Sequence, residues 1–142
     1  MKPRTVLDAE AVNALVDPAH PARFQVRSAV RAAERLNHDV VVANVTLAEL
    51  YRGRARTAAV DAMISRQQPR FALRDTDRNL ARLVGALLTQ AELGSAHLAD
   101  AHVAAAAVEH GGVVLTADPD DVEHLLAGAS HVTVEALRDC RR

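Results

Sequence analysis

The segment LADAHVAAAAVEHGGVVLTADPDDV, residues 98–122, decides the fold of this chain. Its alanine-rich run 100–110 predicts a helix, and the glycine pair 111–112 ends it because glycine readily adopts the left-handed backbone that closes a helix. The apolar residues 113–115 predict a short buried strand, and a turn leads from it into a second helix at 120–127. A helix, a tight turn and a buried strand in this order are typical of α/β proteins.

The same alternation extends outward over the rest of the chain. Four further strands are predicted at residues 5–7, 39–43, 70–73 and 131–134. Further helices are predicted at residues 9–16, about 20–37, from Thr46 to an interruption at Gly53, 57–68 and 77–93. Strands that alternate with helices favour a parallel sheet covered on both faces. We therefore expect a single domain over residues 1–142, an α/β three-layer sandwich with a mostly parallel sheet of about five strands.

Two local details follow from the pattern of apolar and capping residues. In the helix at 20–37 we expect Phe24, Val30 and Leu36 to face inward. Thr46 is predicted to cap the next helix, because Glu49 stands three residues further on, as a capping box requires.

The composition excludes several classes of protein. The chain has 142 residues, a net charge of -1 and only one cysteine, Cys140, so an internal disulfide and a cysteine-based metal site are excluded. No stretch approaches the roughly 20 apolar residues of a membrane span. The first residues lack the apolar region of a signal peptide, so we expect a cytoplasmic protein without membrane attachment.

Four acidic residues follow the predicted strands or begin the helices beyond them: Asp8, Glu49, Asp100 and Asp118. Ligands of open parallel sheets gather beyond the carboxyl ends of the strands, so these side chains should converge on one edge. Each acid alone could simply cap a helix. Four carboxylates at one edge repel each other, however, and a divalent cation would relieve that repulsion.

The ligand type predicts the metal and its chemistry. Oxygen-only ligands favour a hard ion, Mg²⁺ or Mn²⁺. Such an ion activates water and neutralises the charge that develops on a phosphate, which suits phosphodiester hydrolysis.

Three segments of the chain resemble the PIN-domain family, in particular the VapC-type ribonuclease toxins of bacterial toxin–antitoxin pairs. VLDAEAVNAL (residues 6–15) is similar to the first strand and acid of the family, and NVTLAELYRG (44–53) to the segment with the second acid. Residues 98–122 carry the most specific likeness: an Asp, a small-residue helix, a glycine turn, a strand and a Thr-x-Asp turn. The likeness covers nearly the whole chain.

The resemblance implies a metal-dependent endoribonuclease of cytoplasmic RNA, often a structured RNA such as tRNA. It makes the same four acids catalytic metal ligands, adds Asp121 as a further acid, and gives Thr116 a role in orienting the site. It also implies a homodimer that a small antitoxin protein holds inactive.

The chain departs from the family pattern directly after the first acid. Ala9 and Glu10 stand where the family usually has Thr or Ser followed by Ser or Asn. Glu10 is either a further carboxylate at the sheet edge or an acid favoured by the helix dipole.

Basic residues supply candidates for phosphate contact. Arg52, Arg54 and Arg56 lie just beyond Glu49 and are the better candidates for RNA binding. A second set recurs every four residues and forms either a phosphate-binding stripe or a solvated helix face: Arg23, Arg27, Arg31 and Arg35. With one tyrosine and no tryptophan, we expect base stacking to be minor. His97 and His102 flank Asp100, but oxygen ligands already suffice.

Rival interpretations differ in the residues they require. Receiver and haloacid-dehalogenase phosphotransfer domains need a lysine near the phosphoryl group, and the only lysine, Lys2, precedes the first strand. A flap-type DNA nuclease usually needs a longer chain and more acids. A dinucleotide site needs Gly-x-Gly-x-x-Gly after the first strand, which is absent. The remaining alternative is a PIN module that binds RNA or a protein partner without cutting.

Overall fold

The five strands of the protein form one sheet in which every neighbouring pair is parallel. The structure, a computed structural model, describes residues 2–67 and 71–138. The strands follow the spatial order β3-β2-β1-β4-β5, so the chain begins in the middle of the sheet and builds outward to both edges. Their bounds are β1 Arg4–Leu7, β2 Asp39–Ala43, β3 Phe71–Arg74, β4 Gly112–Thr116 and β5 Val132–Ala136.

Helices cover both faces of this sheet. Those on one face are α1 Ala9–Val16, α2 Arg23–Arg35, α3 Asn44–Leu50 and α4 Arg54–Gln67, and those on the other are α5 Arg78–Ala91, α6 Leu98–His110 and α7 Pro119–Leu125. A short 3-10 helix, Ser95–His97, leads into α6. Successive strand residues point to opposite faces: Leu7 packs with the first set of helices and Val6 with the second. The predicted α/β sandwich is therefore confirmed.

Small residues allow α6 to lie close against the middle of the sheet. Its alanines from Ala104 to Ala107 are fully buried, and the helix contacts β1, β2 and β4. At the start of β4, Gly112 has φ +127°, and a Cβ atom there would lie 1.9 Å from the carbonyl oxygen of Arg4. Only glycine fits this approach of β4 to β1, so the glycine pair seen in the sequence both ends a helix and permits strand pairing.

The predicted orientation of α2 is wrong for two of its three residues. Val30 is buried as expected, but Phe24 is 77% exposed and Leu36 64% exposed. The buried face of α2 carries Val26, Val30 and Ala33 instead, which recur at helical spacing. Phe24 lies two residues from Val26, about 200° around the helix, and therefore points to solvent. The inward face is made of smaller residues than the sequence pattern suggested.

The predicted cap at Thr46 is also wrong. Helix α3 begins at Asn44 directly after β2, its N-cap is Ala43, and Thr46 is already its third residue. The Thr46 hydroxyl is buried and has no hydrogen-bond partner among the residues that the structure describes. Three residues named in the sequence analysis lie outside the described residues: Gln68 at the end of a predicted helix, Arg70 at the start of a predicted strand, and Cys140.

None of the described helices is long and apolar enough to cross a lipid bilayer.

Candidate functional site

The four acids predicted from the sequence line one cavity at the carboxyl-terminal edge of the sheet. Asp8 follows β1 and caps α1, Asp118 follows β4 and stands at the N-cap of α7, Glu49 lies in α3, and Asp100 lies in the first turn of α6. The cavity has a volume of about 160 Å³. The topology brings them together because β1, β2 and β4 are neighbours and parallel, so the connections after them leave the sheet at the same edge.

Asp8 is the most firmly held acid of the cavity. Its carboxylate accepts hydrogen bonds from the backbone N–H of Ala11 at 2.8 Å and of Ala117 at 2.8 Å, one on each oxygen. The Thr116 side chain is a further hydrogen-bond partner. Burial nevertheless raises the pKa of Asp8, because desolvation outweighs these hydrogen bonds, and the charge of Asp118 adds to the rise.

Thr116 joins two of the acids. Besides its contact with Asp8, its Oγ1 accepts a hydrogen bond from the backbone N–H of Asp118 at 2.9 Å. The residue is fully buried, so these bonds are shielded from water. Thr116 thus orients the carboxylate of Asp8 and the turn that carries Asp118.

Asp100 and Glu49 show the cost of crowding negative charge. Burial, and after it the charges of the nearby carboxylates, together raise the pKa of Asp100 to about 6. Burial and the charge of Asp8 likewise raise the pKa of Glu49, against the opposing effect of Arg52. No hydrogen bond contributes to the raised pKa of either carboxylate. The site therefore holds more negative charge than its own residues compensate.

The fit to a divalent cation is good in donor chemistry and incomplete in geometry. Carboxylate oxygens are the ligands that Mg²⁺ and Mn²⁺ prefer. Within residues 2–67 and 71–138, however, no three acidic, histidine or cysteine side chains stand in an arrangement that could hold a metal ion. Side-chain rotation is needed to form a coordination shell. The four carboxylates nevertheless line one cavity in which their negative charge is not compensated.

Asp121, His97 and His102 do not line the cavity. The charge of Asp121 contributes to the raised pKa of Asp100, and its Oδ2 lies 3.9 Å from Nε2 of His97. The Nδ1 atom of His97 is buried and has no partner in the part of the chain that the structure describes. His102 donates from Nδ1 to the carbonyl oxygen of Leu98 at 2.8 Å, so this nitrogen is engaged within its own helix.

Glu10 lines the same cavity, and its carboxylate is held by polar neighbours. Asn13 donates to its Oε1 at 3.2 Å, and Nε2 of His20 lies 3.2 Å from its Oε2. Both alternatives left open by the sequence therefore apply: Glu10 is an early-helix acid and a carboxylate at the edge of the cavity. The contact with His20 had no sequence signal, because the loop between α1 and α2 has no periodicity.

The three arginines beyond Glu49 are in different situations. Arg56 is already engaged: its Nη2 donates to Oδ1 of Asn13 at 2.7 Å and its Nε to the carbonyl of Leu50 at 3.2 Å. Arg52 is exposed, and its charge acts on Glu49. Arg54 is exposed at the first position of α4. Arg52 and Arg54 are thus exposed, whereas Arg56 connects the start of α4 to α1.

Comparisons with known proteins agree with this architecture. The family model of the PIN domain matches residues 5–125. The crystal structure of VapBC2 from Rickettsia felis bound to a DNA fragment from their promoter has a similar chain, with 15% identity, a TM-score of 0.66, and coverage of 94% of this chain and 98% of that one. The structure of FitAB bound to an IR36 DNA fragment has another, with 22% identity, a TM-score of 0.63, and coverage of 93% and 94%. At these identities the likeness is one of fold. No curated protein matches the sequence.

Proposed function

The chain belongs to the PIN-domain family, whose members are generally nucleases, and from this premise we propose that it is a Mg²⁺- or Mn²⁺-dependent endoribonuclease. In this proposal Asp8, Glu49, Asp100 and Asp118 form the catalytic, metal-binding site. Thr116 orients it and Asp121 adds negative charge beside it. The observation that carries the proposal is the shared cavity of the four acids, in which the pKa of Asp100 rises to about 6.

The residues of the cavity divide into fixed and adaptable groups. Asp8 keeps its place through two backbone N–H donors, and Thr116 fixes the turn with Asp118. No hydrogen bond contributes to the raised pKa values of Asp100 and Glu49, and in this proposal their carboxylates turn toward a bound cation. That ion, when bound, activates water and neutralises charge on the scissile phosphate. Arg52, whose charge acts on Glu49, and the exposed Arg54 are proposed to contact RNA phosphates.

The biological setting is proposed from the family resemblance. We propose that the chain is the toxin of a type II toxin–antitoxin pair, that it forms a homodimer, and that a small antitoxin protein holds it inactive. The similar structures are of complexes named VapBC2 and FitAB, which supports a partner of this kind. The substrate would be a cytoplasmic RNA such as tRNA.

Cleavage of RNA by the purified protein tests the proposal. Protein freed of any bound partner should cut RNA in Mg²⁺ or Mn²⁺, and EDTA should stop the reaction. Asp100→Asn should lower the rate by a factor on the order of 10²–10³, because one charged group of the site is lost. Asp120→Asn is the matched control, since Asp120 is exposed and lies outside the cavity. Equal rates for parent and Asp100→Asn would refute the assigned site.

Asp100 is a cleaner target than Asp8. Both oxygens of Asp8 accept a backbone N–H, so an asparagine there would direct its own N–H₂ at one of these donors. An unsatisfied buried donor costs roughly 1–3 kcal/mol, so Asp8→Asn would lose both stability and activity.

The second candidate is a PIN module that binds RNA or a protein partner without cutting. The incomplete coordination geometry favours it. Binding of RNA without cleavage in either metal would support this candidate against the nuclease.

A further inference from the structure

A cationic surface with an exposed aromatic ring lies beside the acid cavity. We call it the α2 surface, and it encloses about 440 Å³ between His20, Pro21, Arg23, Phe24, Arg27 and Arg31. We propose that it binds the RNA strand that extends from the acid cavity, with arginines on phosphates and Phe24 stacked on a base. This inference rests on the proposed nuclease function and names where its substrate continues.

The arginines of the α2 surface are spaced along one side of the helix. Arg23, Arg27 and Arg31 recur every four residues, a rise of about 6 Å per step. Arg23 donates from Nη1 to the carbonyl oxygen of Leu15 at 2.9 Å, which anchors it to the end of α1. Arg27 and Arg31 are exposed, and no acidic side chain within residues 2–67 and 71–138 forms an ion pair with either. Their charges are available to an anionic ligand.

Phe24 gives the surface a second binding property. Its ring is 77% exposed and lies among these cations, although an aromatic side chain of this size would normally be buried. Stacking of bases on aromatic rings, combined with a cationic track for phosphates, is how proteins bind single strands without sequence preference. The arrangement at Phe24 has both parts.

His20 lines the α2 surface and contacts Glu10 of the acid cavity. Its Nδ1 accepts from the backbone N–H of Ala22 at 3.1 Å, so the proton lies on Nε2, which donates to Glu10. Glu10 in turn lines the acid cavity. The start of α2 is also tied to the carboxyl-terminal edge of the sheet, because Gln25 donates to the carbonyl of Ala136 at 3.0 Å. A strand bound across the acids can therefore pass over His20 onto the α2 surface.

These observations favour a nucleic acid strand over an acidic protein segment. Both would be attracted by the arginines. Only a nucleic acid strand, however, is expected to occupy both the α2 surface and the acid cavity, since a phosphodiester must enter the cavity for the proposed reaction. A base is also a flat partner for the Phe24 ring.

Binding of a fluorescent 20-nucleotide single-stranded RNA in EDTA tests the inference, because no cleavage then occurs. We expect Arg27→Ala/Arg31→Ala to bind about tenfold more weakly and with a salt slope reduced by about 1.4, as two phosphate contacts are lost. Phe24→Ala should weaken binding by about tenfold with an unchanged slope. The matched control is Arg78→Ala/Arg82→Ala, which removes two exposed arginines of the same spacing from the opposite face. Unfolding curves check that all variants are folded.

The outcomes separate this inference from the nuclease proposal. Equal weakening by both arginine pairs, or by neither, overturns the α2 surface as a subsite even if RNA is cut. Selective weakening without cleavage in Mg²⁺ or Mn²⁺ supports the subsite and refutes the nuclease. A 20-residue polyglutamate serves as the competing ligand. If it displaces RNA from the parent, and if it binds Phe24→Ala as weakly as RNA does, the surface is instead assigned to an acidic protein segment.

Discussion

Two clusters of charged side chains in this protein have opposite electrostatic character. Glu109 on α6 contacts two guanidinium groups, with 2.7 Å to Nη1 of Arg4 and 2.7 Å to Nη2 of Arg74. These hydrogen bonds and charges lower the pKa of Glu109. Asp100 on the same helix has only acidic neighbours among the charges that shift it, and its pKa rises to about 6. The same chemical group is stabilised as an anion in one place and destabilised in the other.

The difference separates a structural cluster from a candidate catalytic one. Arg4, Arg74 and Glu109 keep only 13%, 17% and 20% of their side chains exposed, so the charges neutralise each other away from water. The acid cavity lacks such partners, and its compensation must come from protons or from a cation outside the chain. Carboxylates with raised pKa values are concentrated at functional sites, which makes the acid cavity the candidate site.

Glu109→Gln should have the larger effect on stability. The variant removes the carboxylate partner of Arg4 and one of the two carboxylate partners of Arg74, which keeps its contact with Asp77. We expect a loss of about 2–4 kcal/mol of unfolding free energy at pH 7, measured by urea denaturation. The pKa of Glu109 is lowered in the folded protein, so the loss should be present above its usual pKa and disappear as the pH falls through the folded value. The control Glu123→Gln, at an exposed position of α7, should change little. A neutral Glu109→Gln would contradict the structural role of this cluster.

Asp100→Asn should have a smaller effect of opposite sign. In metal-free buffer at pH 7 we expect the variant to be more stable than the parent by roughly 1–2 kcal/mol, after allowance for solvent screening. The folded pKa is raised from 3.8 to about 6, so parent stability should fall as the pH rises between these values. The advantage of the variant should therefore vanish near pH 4. A variant less stable than the parent at pH 7 would show that Asp100 is held by favourable contacts instead.

The fold could be predicted from the sequence because it depends on repeated, local patterns. Buried runs such as residues 39–43 and the alanine helix before Gly111 mark strands and helices directly. The orientation of α2 could not be predicted in this way, because small residues, Val26, Val30 and Ala33, define its inward face. Phe24, the largest apolar residue of the helix, is exposed. The spacing of apolar residues along a helix, and not their size, indicates which of them face inward.

The convergence of the four acids could be predicted from the sequence, whereas their hydrogen-bond partners could not. Placement after strands brought Asp8 and Asp118 to one edge, as expected from a parallel sheet. The backbone N–H of Ala117 on Asp8 and the contact of His20 with Glu10 depend on loop conformation, which no spacing encodes. No sequence pattern connects Glu109 with Arg74 and Arg4, because these partners lie 35 and 105 positions away along the chain.

Binding of Mn²⁺ measures the central claim most directly, because the loss of the free-ion electron paramagnetic resonance signal counts bound metal without requiring catalysis. Parent protein should bind Mn²⁺ at pH 7.5 and bind it more weakly at pH 5.5, where protons compete for the carboxylates. Asp100→Asn should weaken binding by about tenfold or more, and Glu109→Gln should leave it unchanged. Equal Mn²⁺ binding by the parent and Asp100→Asn, or none by the parent, would contradict the claim that the acid cavity is compensated by a metal ion.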